Sequence, residues 1–353
     1  MSSSTMSAMS KARPTKKPPS AAQEQAVAVD LTAVIVGVAG DEARVLVLPH
    51  GDGATSRASA RDPNALDALP SGPLQLRHRT LEAGLRAWVT EQTGATLGYV
   101  EQLYTFGDQN RAEGAGRRAL SIGYLALTRA AASKPPVGTS WRDWYRHFPW
   151  EDWRRGRPAV LGPLEKGLRQ WIASAPAGPE RAARRERTRL AFGLDGGAWS
   201  DDRVLDRYEL LYESGLVAEA GRDRGVPPED APADHGQPMA ADHRRILATA
   251  IARLRGKIKY RPVVFELMAS TFTFLQLQRA VETLSGVRLH KQNFRRLVAQ
   301  QGLVEETGAI VTATGGRPAR ELRYRQEALL ERPAPGLRLP SIRGRDEREP
   351  KAD

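Results

Sequence analysis

The stretch from His290 to Val298 reads HKQNFRRLV and decides the fold of the C-terminal part of the chain. Phe294, Leu297 and Val298 fall on one face of a predicted helix, because residues three and four positions apart share a side. The other positions carry polar and basic side chains: Lys291, Gln292, Asn293, Arg295 and Arg296. Arg binds guanine edges, Gln and Asn bind adenine edges, and Lys and Arg bind phosphates. These five are candidate DNA contacts, the alternative being a solvated basic face on a packing helix.

The neighbouring segments favour DNA binding. A predicted helix around Phe274–Leu284 and a turn at Ser285 and Gly286 precede this stretch, and two predicted strands follow it, over Leu303–Val311 and Arg320–Arg325. Helix, turn, helix and a basic hairpin make the outline of a winged helix-turn-helix domain. Arg317, in the Gly-rich tip of the hairpin, is a sixth candidate DNA contact because a wing follows the phosphate backbone or enters the minor groove.

The N-terminal part predicts a compact α+β domain. Val-, Leu- and Ile-rich runs indicate a hairpin over Ala28–Val38 and Ala43–Leu48, and two later strands over Gly98–Phe106 and Ala119–Leu127. Between them, residues 80–93 have helical periodicity, with Thr80 placed to cap the helix and Gly94 to end it. Strands, one helix and more strands are typical of a mixed fold.

Composition changes along the chain suggest six segments. They are a basic tail without structure (1–24), a first domain (25–132), a Trp- and Arg-rich, mostly helical insertion (133–241), a connecting helix (242–260), the winged-helix domain (261–332) and a second tail without structure (333–353). Within the insertion, four tryptophans are expected to anchor a short helical pair onto the first domain: Trp141, Trp144, Trp150 and Trp153.

The overall composition limits the function. The net charge of +12 over 353 residues favours a polyanionic partner, the alternative being the Arg-rich composition of proteins from a GC-rich genome. The chain has no cysteine, which excludes disulfides and thiolate metal sites and fits a cytoplasmic location, and no apolar run is long enough to span a membrane. The histidines show no metal-ligand spacing and are expected at the surface: His78, His147, His235, His243 and His290.

Several motifs together resemble the Nudix-related transcriptional regulators of NAD metabolism, the NrtR-like family. The motifs are LRGKIKYRPVVFEL (254–267), FTFLQLQ (272–278), NFRR (293–296), GGRPA (315–319), LYTFGD (103–108) and SIGYLA (121–126). The resemblance covers roughly residues 27–130 and 242–325. The intervening insertion resembles the longer NadQ-type NAD-biosynthesis regulators of alphaproteobacteria.

The resemblance implies an α+β protein with an N-terminal Nudix-like α/β/α sandwich domain, a helical insertion and a C-terminal winged helix-turn-helix domain. It also implies a homodimer that binds a palindromic double-stranded DNA operator and represses NAD-biosynthesis genes. A nucleotide effector is expected in the Nudix-like domain, with ADP-ribose, NAD and ATP as candidates, and no cofactor is required.

The residues that would form a catalytic Nudix box are mostly replaced. Aligned at the helix end, Glu91 keeps one acid, Gln92 replaces the next, Trp88 stands at another acid position, and Arg79 falls where an upstream Glu is expected. One carboxylate cannot hold Mg²⁺ against a diphosphate as the full set does. Arg79 could instead pair with a phosphate directly.

The candidate ligand-site residues are Arg79, Trp88, Glu91 and Phe106. For Trp88, packing in the core beside Leu81 and Leu85 is favoured over stacking on an adenine base, and Glu91 is interpreted as a solvated surface acid. The sequence thus favours a regulator and not an enzyme. The alternatives are a divergent Nudix phosphohydrolase with an accessory nucleic-acid-binding domain, and a basic adaptor that binds RNA.

Overall fold

The structure, a computed structural model, describes residues 27–50, 65–95, 97–107, 119–129, 131, 134–226, 235–312 and 318–327. The two tails predicted at 1–24 and 333–353 and the predicted wing residue Arg317 lie outside these residues. The described part combines one large mixed sheet, one small antiparallel sheet and helices between them. The predicted α+β class is confirmed.

The large sheet forms the N-terminal domain. Its strands are β1 (Ala28–Ala39), β2 (Glu42–His50), β3 (Leu66–Ala68), β4 (Ser71–Pro73), β5 (Val100–Phe106), β6 (Ala119–Leu127) and β7 (Ser140–Asp143). The strand order is β3-β2-β1-β6-β5, with β4 paired to β1 and β7 paired to β2. Strands β1 and β2 form the predicted hairpin, whose turn holds Gly40 at φ +59°, where a side chain would be strained. The two central strands, β1 and β6, run parallel.

Helix α1 (Leu81–Thr93) covers one face of this sheet. It begins and ends as predicted, because the Thr80 side chain accepts a hydrogen bond from Ala83 N at 3.1 Å and Gly94 adopts φ +64°. Its buried residues Leu85 and Val89 pack on β1 residues that point to the same side, including Leu31. Each such burial stabilises the fold by roughly 1.5–3 kcal/mol.

The segment after the first domain adds one strand to the sheet before it becomes helical, within the region predicted as a mostly helical insertion. Strand β7 pairs antiparallel with β2, with Trp141 opposite Leu46. This strand has only four residues, so its sequence pattern alone could not reveal it. The predicted helical pair consists of two short 3-10 turns, Trp144–Arg146 and Pro149–Glu151, in which Trp144 and Trp150 are fully buried. Four helices follow: α2 (Leu161–Ser174), α3 (Pro179–Phe192), α4 (Val204–Glu213) and α5 (Ala218–Asp223).

Helix α6 (His243–Ile258) lies at the centre of the molecule and is more than the predicted connection. Residues such as Ile246, Leu247, Ile251 and Leu254 are at most 1% exposed. They belong to a single core that includes the sheet face opposite α1, helix α4 and the C-terminal domain. The sheet and the winged-helix domain therefore share one helix and one hydrophobic core.

Two histidines correct the expectation of surface positions. His147 is fully buried, and its Nδ1 donates to the Gln237 carbonyl at 2.9 Å. His243 is 8% exposed, and its Nδ1 accepts a hydrogen bond from the Leu69 amide at 3.0 Å. Both imidazoles satisfy backbone groups of segments far away in the chain, which local sequence does not reveal.

The C-terminal domain has the predicted order of elements. After a 3-10 helix at Val263–Leu267 come β8 (Thr271–Phe272), α7 (Phe274–Ser285), α8 (Lys291–Gln301), β9 (Val304–Val311) and β10 (Ala319–Tyr324). Strand β8 was not predicted; it completes a three-stranded sheet in the order β8-β10-β9.

Candidate nucleic-acid interface and ligand site

Helices α7 and α8 are held in place by well-defined ends. Thr273 caps α7 through a capping box with Gln276, which binds two backbone amides that would otherwise lack partners. Gly286 ends α7 at φ +76° and Gly302 ends α8 at φ +58°, both in the left-handed region that favours glycine. The position of the second helix is thus determined on both sides by turns that the sequence encodes.

Helix α8 separates its two kinds of residue as predicted. Phe294 and Val298 are 3% and 0% exposed, and Leu297 is half-buried. The five candidate DNA contacts on this helix are all exposed: Lys291, Gln292, Asn293, Arg295 and Arg296. The guanidinium of Arg295 lies 5.5 Å from the centre of the Phe274 ring.

The charges on α8 differ from those on the wing strands. On β10, Arg320 pairs with Glu306 at 2.7 Å and Arg323 pairs with Glu305. In the described residues, by contrast, no ion pair involves Lys291, Arg295 or Arg296. The charge of a cation without a neighbouring carboxylate is not offset locally and is available to a polyanion. Helix α8 is therefore a more strongly basic surface than strands β9 and β10.

Helix α7 carries a further exposed cation. Arg279 is exposed on α7, and the structure shows no ion pair for it in the part of the chain described. The first helix of a helix-turn-helix unit crosses the DNA backbone, where a cation binds phosphate. Its helical position, on the side opposite Leu277 and Val281, was the sequence signal that could have identified it.

Three of the predicted ligand-site residues lie on or just before α1. Arg79 and Glu91 are exposed, as expected of a solvated acid at position 91. Trp88 is half-buried, and the predicted packing in the core with Leu81 and Leu85 is wrong. Its ring lies directly on Gly72 of β4, where any side chain would clash, and its Nε1 donates to the Pro73 carbonyl at 2.8 Å.

The fourth ligand-site residue lies on the other face of the sheet from α1. Phe106 packs over Gly123 of β6, and a side chain at Gly123 would also meet Ile246 of α6. This is the face of the sheet opposite α1, because successive residues of a strand point to opposite faces. A ligand site built from Arg79, Trp88 and Glu91 therefore does not include Phe106.

Two other helix side chains are committed to structural contacts. Arg86 donates to the Leu97 carbonyl at 2.7 Å, and Gln92 donates to the Ser71 carbonyl at 2.7 Å. The first bond fastens α1 to the loop before β5, and the second fastens it to β4. In the part of the chain that the structure describes, no group of three or more His, Asp or Glu residues is arranged to hold a metal ion.

A separate cavity of about 1240 Å³ lies between the sheet domain, the end of α6 and the winged-helix domain. Its walls include Tyr99, Arg129, Lys257, Phe265 and Tyr324. Burial would lower the pKa of Lys257, but its hydrogen bonds to Glu101 and Tyr99 outweigh burial and raise it, so the ammonium stays charged. None of the four predicted ligand-site residues lines this cavity.

No helix among the described residues has the length and apolar character needed to cross a membrane.

Helices α7 and α8, followed by the antiparallel strands β9 and β10, define a winged helix-turn-helix domain. Residues 264–324 match the family model of the NrtR DNA-binding winged helix domain. The predicted resemblance to NrtR-like regulators is thereby confirmed for this region, whereas the NadQ-type subdivision stays a prediction.

The chain is also similar to one curated protein and to several solved structures. The chain is 40% identical over 86 residues to the ADPR responsive transcriptional repressor NtrR of Acinetobacter baylyi, an alignment covering 24% of this chain and 34% of that protein. The chain thus spans about a third of the length of this curated relative. The crystal structure of Shewanella oneidensis NrtR complexed with a 27mer DNA superposes with a TM-score of 0.49 at 19% identity, over 85% of this chain and 94% of that one. A MutT/nudix family protein from Enterococcus faecalis superposes with a TM-score of 0.47 at 14% identity, over 87% and 89% of the two chains.

Proposed function

We propose that this protein is a DNA-binding transcriptional repressor of NAD-biosynthesis genes whose N-terminal domain senses an NAD metabolite. The observation that carries the proposal is the exposed face of α8, where Lys291, Arg295 and Arg296 have no acid partner in the described residues, within a region that matches an NrtR DNA-binding domain. Helices with such a face enter the major groove.

The DNA partner in this proposal is a double-stranded, palindromic operator bound by a homodimer. Arg295 and Arg296 bind base edges or phosphates, Gln292 and Asn293 bind adenine edges, and Lys291 and Arg279 bind phosphates. Arg317, which lies outside the described residues, contacts the phosphate backbone in this proposal. A regulator of this kind works in the cytoplasm, where the bacterial chromosome lies.

The sensor in this proposal is the sheet domain with α1, a Nudix-like domain without catalytic acids. ADP-ribose is the first candidate effector, because the relative with 40% identity is named as ADPR-responsive; NAD and ATP are the others. Arg79 and Glu91 are both exposed near α1, so Arg79 is free to pair with a diphosphate, while Glu91 alone cannot hold a catalytic metal ion. No cofactor is needed for this role.

The test is a gel shift on promoter fragments of NAD-biosynthesis genes, with and without ADP-ribose, NAD or ATP. We expect a shifted band that a scrambled fragment of equal length does not give, and loss of that band with at least one nucleotide. Equal shifts on promoter and scrambled fragments would leave only non-specific DNA binding.

A further inference from the structure

The turn between α7 and α8 is held by a segment from outside the winged-helix domain. We name residues 144–154 the bracket; they follow β7 directly and include both 3-10 turns. Because β7 pairs with β2, the bracket is anchored in the large sheet. It reaches the helix-turn-helix unit at Thr283, two residues before the end of α7, and at Gly286, one residue after that end. The last backbone carbonyls of a helix lack partners within the helix.

Three carbonyls at this end are bound from outside the domain. The Tyr145 hydroxyl donates to the Thr283 carbonyl at 2.8 Å, and the Trp153 amide donates to the Gly286 carbonyl at 2.7 Å. Between them, Nε of Arg255 on α6 donates to the Leu284 carbonyl at 2.9 Å. The end of α7 is therefore fixed by directed hydrogen bonds as well as by apolar packing.

A buried ionic group supports these bonds. Glu151 of the bracket lies between two fully buried arginines, with its Oε2 2.8 Å from Nη2 of Arg207 and 2.7 Å from Nη1 of Arg255. Burial would lower the pKa of Arg255, but Tyr145 and Glu151 beside it outweigh burial and raise it. The guanidinium thus stays charged, and removing Glu151 would leave two buried cations without their anion.

The space at the turn is filled. A side-chain carbon at Gly286 would come within 2.3 Å of the Glu151 carbonyl oxygen and 2.9 Å of the Tyr145 hydroxyl oxygen. The turn and the bracket therefore cannot slide past each other without breaking hydrogen bonds, which makes the contact a rigid one.

Arg154 connects the bracket to two other elements. Its guanidinium donates to both carboxylate oxygens of Asp152, at 2.7 and 2.9 Å, and to the Asp41 carbonyl in the β1–β2 turn. The same group lies 3.5 Å from Oγ1 of Thr283 on α7 and 4.8 Å from the centre of the Tyr145 ring. One side chain thus contacts the sheet, the bracket and the helix that precedes α8.

We propose that the bracket sets the position of recognition helix α8 relative to the large sheet, and that Arg154 is the positioning residue that links the β1–β2 turn to α7. This gives the insertion a role in DNA binding without contact with DNA. A change in the sheet that displaces the β1–β2 turn is passed to α8 through these contacts. The further step, in which these contacts transmit the response to a nucleotide, rests on the function proposed above.

The first test measures position and needs no ligand. Spin labels are attached to cysteines introduced at two exposed positions, Thr90→Cys on α1 and Gln300→Cys on α8. Because the chain has no cysteine of its own, the labels bind at these two positions only. We compare their distance distribution in the full-length protein with that in Arg154→Met and in Tyr145→Phe, which removes only the hydroxyl. The control is Arg157→Met, since the exposed Arg157 pairs with Glu165 inside the insertion.

We expect one narrow distance in the parent protein and in Arg157→Met, and a broadened or second distance in Arg154→Met and Tyr145→Phe. Tyr145→Phe keeps the buried ring, so it remains informative if Arg154→Met lowers stability. Distributions in both variants that match the Arg157→Met control would overturn the proposal.

The second test measures the response. The ratio of operator Kd with and without ADP-ribose is about 5- to 150-fold for a typical coupled pair of sites. We expect it to fall towards one in Arg154→Met and to stay at the parental value in Arg157→Met; an unchanged ratio in Arg154→Met would overturn the link. If the operator Kd of the parent protein is the same with and without each of ADP-ribose, NAD and ATP, the proposed sensing function is refuted. The distance measurements alone would then test whether the bracket positions α8.

Discussion

The exposed arginines of α8 offer the most direct test of the DNA interface. Replacing both Arg295 and Arg296 with Ala removes two cations that have no acid partner in the described residues, while the buried Phe294 and Val298 keep the helix in place. We expect a large loss of operator affinity with little loss of stability, because these side chains contribute little to the core.

The two effects differ in size. A bidentate contact between Arg and guanine contributes about 1–3 kcal/mol, so two such contacts contribute about 2–6 kcal/mol and their loss weakens binding at least roughly 30-fold. If the arginines bind phosphates instead, each removes about 0.9 from the slope of log affinity against log salt concentration. Stability loses only the cation–π contact of Arg295 with Phe274, about 0.5–1 kcal/mol at an exposed site.

The assay is fluorescence anisotropy with operator and scrambled duplexes at several salt concentrations, combined with urea unfolding of the same samples. The control is the double variant Arg169→Ala and Arg185→Ala, which loses the same charge from two exposed residues of the insertion. Operator affinity of the α8 variant within a factor of two of the parent would refute the assignment of α8 as the recognition helix.

Four more outcomes are expected. Phe294→Ala should lower the free energy of unfolding by about 3–5 kcal/mol by opening a core cavity, whereas Leu275→Ala, 43% exposed, should change it by less than about 0.5 kcal/mol in urea titrations. Hydrolysis of ADP-ribose or NADH with Mg²⁺ or Mn²⁺ should be absent; turnover on the order of 1 per second would establish the alternative of a divergent phosphohydrolase. Calorimetric titration of ADP-ribose should give different affinities for the free protein and for its operator complex, and the two should differ by the same factor by which the ligand changes DNA affinity. If each of ADP-ribose, NAD and ATP binds the free protein and the complex with equal affinity, the N-terminal domain is a structural module. Burial lowers the pKa of the His147 imidazole below its value of about 6.5 in the unfolded chain, so its contribution to stability is complete above that pH and is lost as the pH falls below it. The free energy of unfolding should therefore fall less on acidification in His147→Gln than in the parent protein. Parallel pH profiles of the two proteins would contradict this.

The elements that the sequence predicted well are those defined by local signals. Helix α1 begins at its Thr80 cap and ends at Gly94, and α8 presents its apolar residues at helical spacing towards the core. Glycines with positive φ mark the ends of α1, α7 and α8 in the sequence itself. The five exposed residues of α8 were predictable because a helix with three apolar positions leaves only one orientation for the rest.

The features that the sequence did not reveal depend on partners far away in the chain. Strand β7 exists because β2 offers a free edge, and the burial of His147 depends on Gln237, 90 residues later. Trp88 lies on Gly72 and not in the core because β4, too short to predict, occupies that position. Side chains along β5 point alternately to the two faces of the sheet, and Phe106 points to the face covered by α6. A motif match does not determine to which face a residue points.

Helix α6 has a consequence for how such a protein could be taken apart or recombined. Its buried residues contact the large sheet, the insertion and the winged-helix domain within one core. A chimera that joins the C-terminal portion from α6 onward to a different sensor would expose an apolar helix face shaped for this sheet alone. The winged-helix domain can therefore be transferred to another protein only together with the large sheet on which α6 packs.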